Sequence, residues 1–121
     1  MVTVNGSQLA NTQWTTIPSM TVDTSPNGER QITYFFEATT NDVNVQVQGS
    51  VNNINWITLN TRDMDKPDMQ NTTITVLSAA SAVAIISPSD FNGVNSGFQF
   101  YRVQIQGVAP YGTLDAWAVA K

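Results

Sequence analysis

The clearest pattern along the chain is the run from Val43 to Leu59, VNVQVQGSVNNINWITL. Val43, Val45 and Val47 alternate with Asn44, Gln46 and Gln48. Successive side chains of a strand point to opposite faces, so this run predicts a strand with one buried and one wet face. Gly49 and Ser50 break the alternation. Ser50 to Asn55 then predicts a loop, and Trp56 to Leu59 a further strand. The wet face carries amides rather than charges.

The same reading extends in both directions. Thr12 to Ile17 predicts a first strand stopped by Pro18, and Met20 with Val22 a short second one. Ser25-Pro26-Asn27-Gly28 is a turn sequence, because Pro presets φ and Asn-Gly accepts positive φ. Gln31 to Thr39 alternates Ile32, Tyr34, Phe36 and Ala38 against Gln31, Thr33, Phe35 and Glu37, and Asn41-Asp42 turns the chain after it. Thr61 to Asn71 is polar with a central Pro and reads as a long loop. Thr72 to Leu77 predicts a strand. Ser78 to Ile86 admits a short helix or a strand, and the alternation of Val83 and Ile85 favours a strand over Ala82 to Ile86. Ser87-Pro88-Ser89-Asp90 and Asn92-Gly93 form the next loop. Phe98 to Val108 is the second clear strand, Ala109-Pro110-Tyr111-Gly112 turns it, and Thr113 to Ala120 closes the chain. No long helical period appears. The expected fold is all-β, an antiparallel sandwich or jelly roll of about eight strands in a single domain spanning 1–121.

Phase along these strands predicts a core. Tyr34 and Tyr101 fall in step with apolar neighbours and are expected inside. Trp56, beside the valine strand, and Trp117, in step with Val119, are expected to plug the sandwich. Trp14 lies between Gln13 and Thr15, and Tyr111 in a Pro-Gly turn, so both are expected at the surface. Phe35 against Phe36, and Phe98 and Phe100 against Tyr101, put large apolar groups on both faces of their strands. A sandwich strand needs only one apolar face, so the outer side is expected to meet a covering loop or another subunit. Trp14, Phe35, Phe98, Phe100 and Tyr111 are therefore the candidate partner-interface residues, and a homo-oligomer is expected.

Composition narrows the chemistry. Charged residues are 12% of the chain, against the usual quarter, and Asn, Gln, Ser and Thr fill the gap. The net charge is −4, and Arg30, Arg62, Lys66, Arg102 and Lys121 are scattered along the sequence. Phosphate neutralisation and anionic membranes both need clustered cations, so neither nucleic acid nor membrane is an expected partner. The chain has no Cys and no His, which removes thiolate chemistry, the commonest general base and the commonest metal ligand. A Ser nucleophile would have only Lys66, Lys121 or a carboxylate to activate it. Glu29, Glu37, Asp42 and Asp115 would make a glycosidase pair only in a walled cleft, which a sheet of this length hardly allows. Asp63, Asp65 and Asp68 crowd one loop in a manner open to Ca²⁺, but the EF-hand Gly and terminal Glu are missing, and a solvated acidic turn offset by Lys66 is the plainer reading. No catalytic residue, cofactor or metal is expected. No basic-then-apolar leader opens the sequence, and the longest apolar run, Leu77 to Ile86, is well short of a membrane span.

Two segments carry a resemblance. Gly49-Ser50, then Asn53, Asn55-Trp56 and Leu59, resembles the Gly-Ser-x-Asp-Gly-x-x-Trp-x-x-Leu hairpin of β-sandwich modules, with Asn52-Asn53-Ile54 where the usual Asp-Gly stands. Phe100-Tyr101-Arg102-Val103-Gln104-Ile105-Gln106-Gly107 resembles their later strand of aromatic, Arg and alternating apolar residues ending in Gly. Discoidin-type sugar-binding modules carry this pair. So do small structural proteins of tailed bacteriophages, including capsid decoration (cement) proteins. The Cys pair of many secreted discoidin-like domains is absent. The phage resemblance implies a non-enzymatic virion protein assembled in a bacterial cytoplasm, with the major capsid protein as partner and a homotrimer as its state. The other resemblance implies a carbohydrate-binding module using Trp14 or Tyr111.

Overall fold

The computed structural model describes residues 1–24, 31–59, 61–63, 70–71, 73–86 and 98–121, with the backbone alone at 62, 63, 70, 71 and 86. The turn at Ser25 to Gly28, the loop from Ser87 to Gly93, and Glu29, Arg30, Asp65, Lys66 and Asp68 lie outside the described residues.

Alternating sequences become strands throughout. They are β1 (Val2–Leu9), β2 (Thr15–Thr16), β3 (Val22–Asp23), β4 (Ile32–Ala38), β5 (Val43–Ser50), β6 (Ile57–Thr58), β7 (Thr61–Asp63), β8 (Gln70–Asn71), β9 (Ile74–Val76), β10 (Ser81–Ile86), β11 (Phe100–Gln106) and β12 (Thr113–Ala120). A 3-10 turn at Pro18–Met20 separates β2 from β3, with the ring of Pro18 at its start where no N–H is needed. One sheet has the order β1-β12-β4-β10-β7-β8. The other has the order β2-β11-β5-β6, with β3 also on β11 and β9 also on β5. Every pairing is antiparallel. Taking β2 with β3 as one position, the facing quartets β1-β12-β4-β10 and β2/3-β11-β5-β9 are the two four-stranded sheets of a jelly roll. The β7–β8 hairpin extends the first quartet, and β6 extends the second.

The core follows a large-against-small rule. Tyr34 and Phe36 of β4 are fully buried, with rings stacked 5.7 Å apart. Tyr34 has Ala118 of β12 on one side and Ala84 of β10 on the other, and Phe36 has Ala116 and Ala82. Small neighbours let two rings fill the space between the sheets without pushing the strands apart. Val43, Val45 and Val47 of β5, Val103 and Ile105 of β11, and Ile17, Met20 and Val22 close the core from the other sheet.

Several expectations need correction. The β1 strand runs through a segment for which the sequence reading placed no strand; it pairs with β12 along its whole length. The strand expected over Thr12 to Ile17 is ordered as a ladder only at Thr15–Thr16, because the chain there leaves one sheet for the other. The expected loop from Thr61 to Asn71 contains β7 and β8, which add to the β10 edge. Trp117 lies on the outer face, 41% exposed, because Leu114, Ala116, Ala118 and Ala120 are the inward set of β12. Trp56 is half-buried and lies outside the core, with the Arg102 guanidinium 4.2 Å from its ring centroid.

The Tyr34 hydroxyl has no hydrogen-bond partner among the described residues. Burial, reinforced by nearby Tyr101, pushes this phenol far above its ordinary range. Removing an unsatisfied buried hydroxyl relieves its desolvation penalty, so Tyr34→Phe should raise unfolding free energy by about 1 kcal/mol. A loss of stability in urea melts would show that the hydroxyl is satisfied. The pH dependence has a definite sign. Above about pH 10 the unfolded chain releases the Tyr34 proton while the folded chain keeps it, so this group makes stability fall by up to about 1.4 kcal/mol per pH unit. Tyr34→Phe should flatten that alkaline slope and leave melts below pH 9 parallel to wild type.

Candidate functional site

Two outer faces and two loop ends are open to partners, and they differ in character. The outer face of the β2-β11-β5-β6 sheet is the amide face that the Val43 to Gln48 alternation predicts. Its amides bond to one another across the strands. Gln46 Nε2 donates to Gln104 Oε1 at 2.9 Å, and Gln104 Nε2 donates to Thr16 Oγ1 at 3.1 Å. Arg102 Nε donates to Gln48 Oε1 at 2.8 Å, and Gln48 Nε2 donates to Thr58 Oγ1 at 3.3 Å. Thr75 Oγ1 donates to Asn44 Oδ1 at 2.8 Å, and Gln106 Nε2 donates to the Thr12 carbonyl at 3.0 Å. Rows of this kind stabilise the sheet and commit much of the hydrogen-bonding capacity that a sugar would need. Arg102 lies over Trp56, and its partial burial there lowers the guanidinium pKa from its ordinary value. It remains a cation at neutral pH.

The outer face of the other sheet is apolar at its centre. One cross-strand row is Asn5, Trp117, Phe35 and Val83, and the next is Thr3, Val119, Thr33 and Ile85. The Phe35 and Trp117 rings lie 5.5 Å apart and tilted, with Phe35 38% exposed. A third row, Ser7, Asp115, Glu37 and Ser81, borders the strip on one side.

The resemblance-bearing hairpin builds one loop end. Buried Ser50 Oγ accepts from the Asn52 and Asn53 N–H groups, and Asn52 Oδ1 accepts from those of Ile54 and Asn55. Asn53 has φ 61°, the left-handed conformation that suits Gly, and Asn tolerates it better than most other residues. Asn52 and Asn53 therefore fill the Asp and Gly places of the hairpin pattern. Gly49 is required by packing, since a Cβ there would lie 2.8 Å from Phe98 Cγ. Val51, Ile54 and Ile57 are exposed around this loop.

The opposite end gathers the turns after β1, β4, β9 and β11. The Ala10 N–H donates to the Gly112 carbonyl, and the Gly107 N–H to that of Asn11, which ties the turns together. Gly112 passes so close to Asn41 that a Cβ would meet its backbone oxygen at 2.7 Å. Leu9, Leu77, Val108 and Tyr111 are exposed at this end.

The five candidate interface residues do not form one surface. Phe35 is on the apolar outer face. Phe100 is half-buried on the outer side of the amide sheet, beside Asp23 and Ser50. Phe98 packs inward against the core, edge-on to Tyr101 at 6.5 Å. Trp14, half-buried, and Tyr111, exposed, share the Gly107–Gly112 end. Trp117, Val83, Ile85 and Val119 were missed, although Asp115 stands in step with Trp117 and Val119 and marks their face as the wet one.

The carboxylates are dispersed. Asp42 Oδ1 accepts the Ser78 N–H at 2.8 Å and locks a turn. Asp115 and Glu37 are cross-strand neighbours on the outer face of the first sheet. Asp63 is described by backbone only, so the Asp63, Asp65 and Asp68 group falls outside the described side chains. Among the described residues no three His, Cys, Asp or Glu side chains cluster in a way that could hold a metal ion.

No protein-family model matches this chain. No curated protein matches it in sequence. The crystal structure of SPBc2 prophage-derived protein YomS has a similar fold, with a TM-score of 0.60 at 9% sequence identity over 98% of this chain and 95% of that one.

Proposed function

We propose that this chain is a non-enzymatic structural protein of a tailed-phage virion, a capsid decoration (cement) protein that binds the assembled shell through the major capsid protein. The observation that carries the reading is the fold likeness to a prophage-derived protein along nearly the whole of both chains. It agrees with the phage resemblance of the Gly49 to Leu59 hairpin and the Phe100 to Gly107 strand. The docking surface in this reading is the loop end with Leu9, Leu77, Val108 and Tyr111, flanked by Trp14. Exposed apolar side chains on tied turns supply shape-complementary burial, and surrounding Asn and Thr supply a polar rim. A ligand that binds only the assembled shell stabilises it by mass action, by about 2.7 kcal/mol per site at a concentration of 100 Kd.

The test is co-sedimentation with empty shells of the phage that encodes the protein, followed by heating. Saturable binding at a fixed ratio to the capsid protein, with a higher disruption temperature, is the expected result. Val108→Asp and Tyr111→Ala should each weaken binding about tenfold or more, the range of an interface hot spot. Shells that neither bind the protein nor gain heat resistance would overturn the reading. Carbohydrate binding shares the same end, since Trp14 and Tyr111 both lie there. A glycan-array signal abolished by Trp14→Ala or Tyr111→Ala would favour it over decoration, and a silent array would leave decoration ahead.

A further inference from the structure

We infer that the apolar outer face of the β1-β12-β4-β10 sheet is a docking surface for a second copy of this chain, joined face to face about a two-fold axis that crosses β12 at the level of Ala118. The inference goes beyond the virion reading and does not depend on it. Its first support is the apolar strip. Phe35 and Trp117 are exposed on this face, and Val83, Ile85 and Val119 are half-buried beside them. On the opposite outer face the amides bond to one another, so the two faces are not equivalent as contact surfaces.

The second support is charge. Asp115 and Glu37 stand directly opposite each other on neighbouring strands, an arrangement in which like charges destabilise the sheet. Neither makes an ion pair among the described residues. Among the described side chains the cationic one on this face is Lys121, exposed beyond the other side of the strip, while Arg62, described by backbone only, stands opposite Ile85 at the β7 edge. Its backbone bonds reciprocally to Gln31, continuing the ladder of β12 with β4 and keeping the alternation of Trp117 and Val119.

The positions along β12 make the face complementary to itself. Asp115 and Lys121 are equally far from Ala118, on opposite sides of it. An axis lying in the interface and running across the strands at that level reverses strand direction and brings β12 over β12. Trp117 then covers the second copy's Val119, Phe35 covers its Thr33, and Val83 covers its Ile85. Asp115 of each copy comes to the second copy's Lys121, twice by symmetry. Face-to-face sheets pack about 10 Å apart, within reach of aromatic and lysine side chains. An isologous contact of this kind closes as a dimer, whereas a ring trimer needs two different patches. The symmetry of this face thus points to a pair rather than the expected trimer.

Sedimentation equilibrium over a wide concentration range tests this without any capsid. Wild type should show twice the monomer mass, weakening as salt rises. Asp115→Lys and Lys121→Asp should each raise the dimer Kd about tenfold or more, and the double swap Asp115→Lys/Lys121→Asp should bring it back to within a few-fold of wild type. The chain has no Cys, so single thiols report proximity cleanly. Trp117→Cys mixed with Val119→Cys should cross-link on mild oxidation, while an exposed control at Thr75→Cys should not. Circular dichroism checks that each variant is folded. A monomer at all concentrations, a trimer, or single charge reversals without effect and without mutual rescue would each overturn the inference.

Discussion

Phe36→Ala should cost about 3–5 kcal/mol of unfolding free energy, whereas Phe35→Ala, one residue away, should cost about 1 kcal/mol. The two rings differ only in the face they occupy. Phe36 is fully buried, stacked on Tyr34 and flanked by Ala116 and Ala82. Removing it leaves a cavity that small rigid neighbours cannot fill, so the lost transfer free energy and the cavity cost add. Phe35 keeps about a third of its surface in water and loses mainly its cross-strand contact with Trp117. Urea melts at dilute protein, where association contributes little, measure both changes. Equal costs, or a larger one at Phe35, would mean that the facing of β4 is wrong.

Enlarging the core alanines should be the second-largest effect. Ala118→Leu should destabilise by about 1–3 kcal/mol or more, because the new side chain enters the space beside Tyr34. Ala84→Leu, on the other side of the same ring, should do the same. Val119→Leu, adjacent in sequence but on the outer face, should stay within about 0.5 kcal/mol of wild type, as surface changes usually do. Combining Ala118→Leu with Ala84→Leu should give a non-additive cost, since both press on one side chain. A neutral Ala118→Leu would indicate slack between the sheets that the packing of Tyr34 and Phe36 does not suggest.

These contrasts also mark how far the chain could be read before folding. The Val43 to Gln48 alternation, the Phe98 to Val108 strand and the Gly49 to Leu59 hairpin were all legible, and each appears where expected. The inward placement of Tyr34, Phe36 and Tyr101 was legible too, because their phase agrees with apolar neighbours on the same strand. The errors at Trp56 and Trp117 share a cause. Trp56 was placed by its adjacency to the valine strand and Trp117 by its phase with Val119, and neither tells which face a strand turns to the core. On β12 the bulkier pair, Trp117 and Val119, faces out because the inward side of the strand lies beside Tyr34 and Phe36. Only alanine fits next to those rings, and Asp115 shares the Trp117 phase. At Trp56 the ring serves as a platform for Arg102, a contact between residues distant in sequence. Strand β1 was missed because its second half, Asn5 to Gln8, is polar; full pairing with β12 orders it.

The candidate surfaces were less legible than the fold. Phe35 and Tyr111 were identifiable one at a time, from a doubly apolar strand and from a turn. Nothing local could join Phe35 to Trp117 or Val83, or show that Trp14 and Tyr111 meet at one end. Nor could the amide pattern reveal that Gln46, Gln104 and Thr16 bond to one another.

The sequence by itself determined an all-β antiparallel sandwich, the period of each main strand, and a chain without thiol or imidazole chemistry. These depend on local alternation, turn residues and composition, which a linear reading contains in full. Only the tertiary structure decided the jelly-roll order, the facing of β12, the apolar strip opposite a self-bonded amide face, and the placing of Asp115 and Lys121 on that outer face. The physical reason is that alternation specifies a period but not its phase. Phase is chosen when neighbouring strands and the facing sheet compete for the same interior volume, and that competition involves residues far apart in the chain.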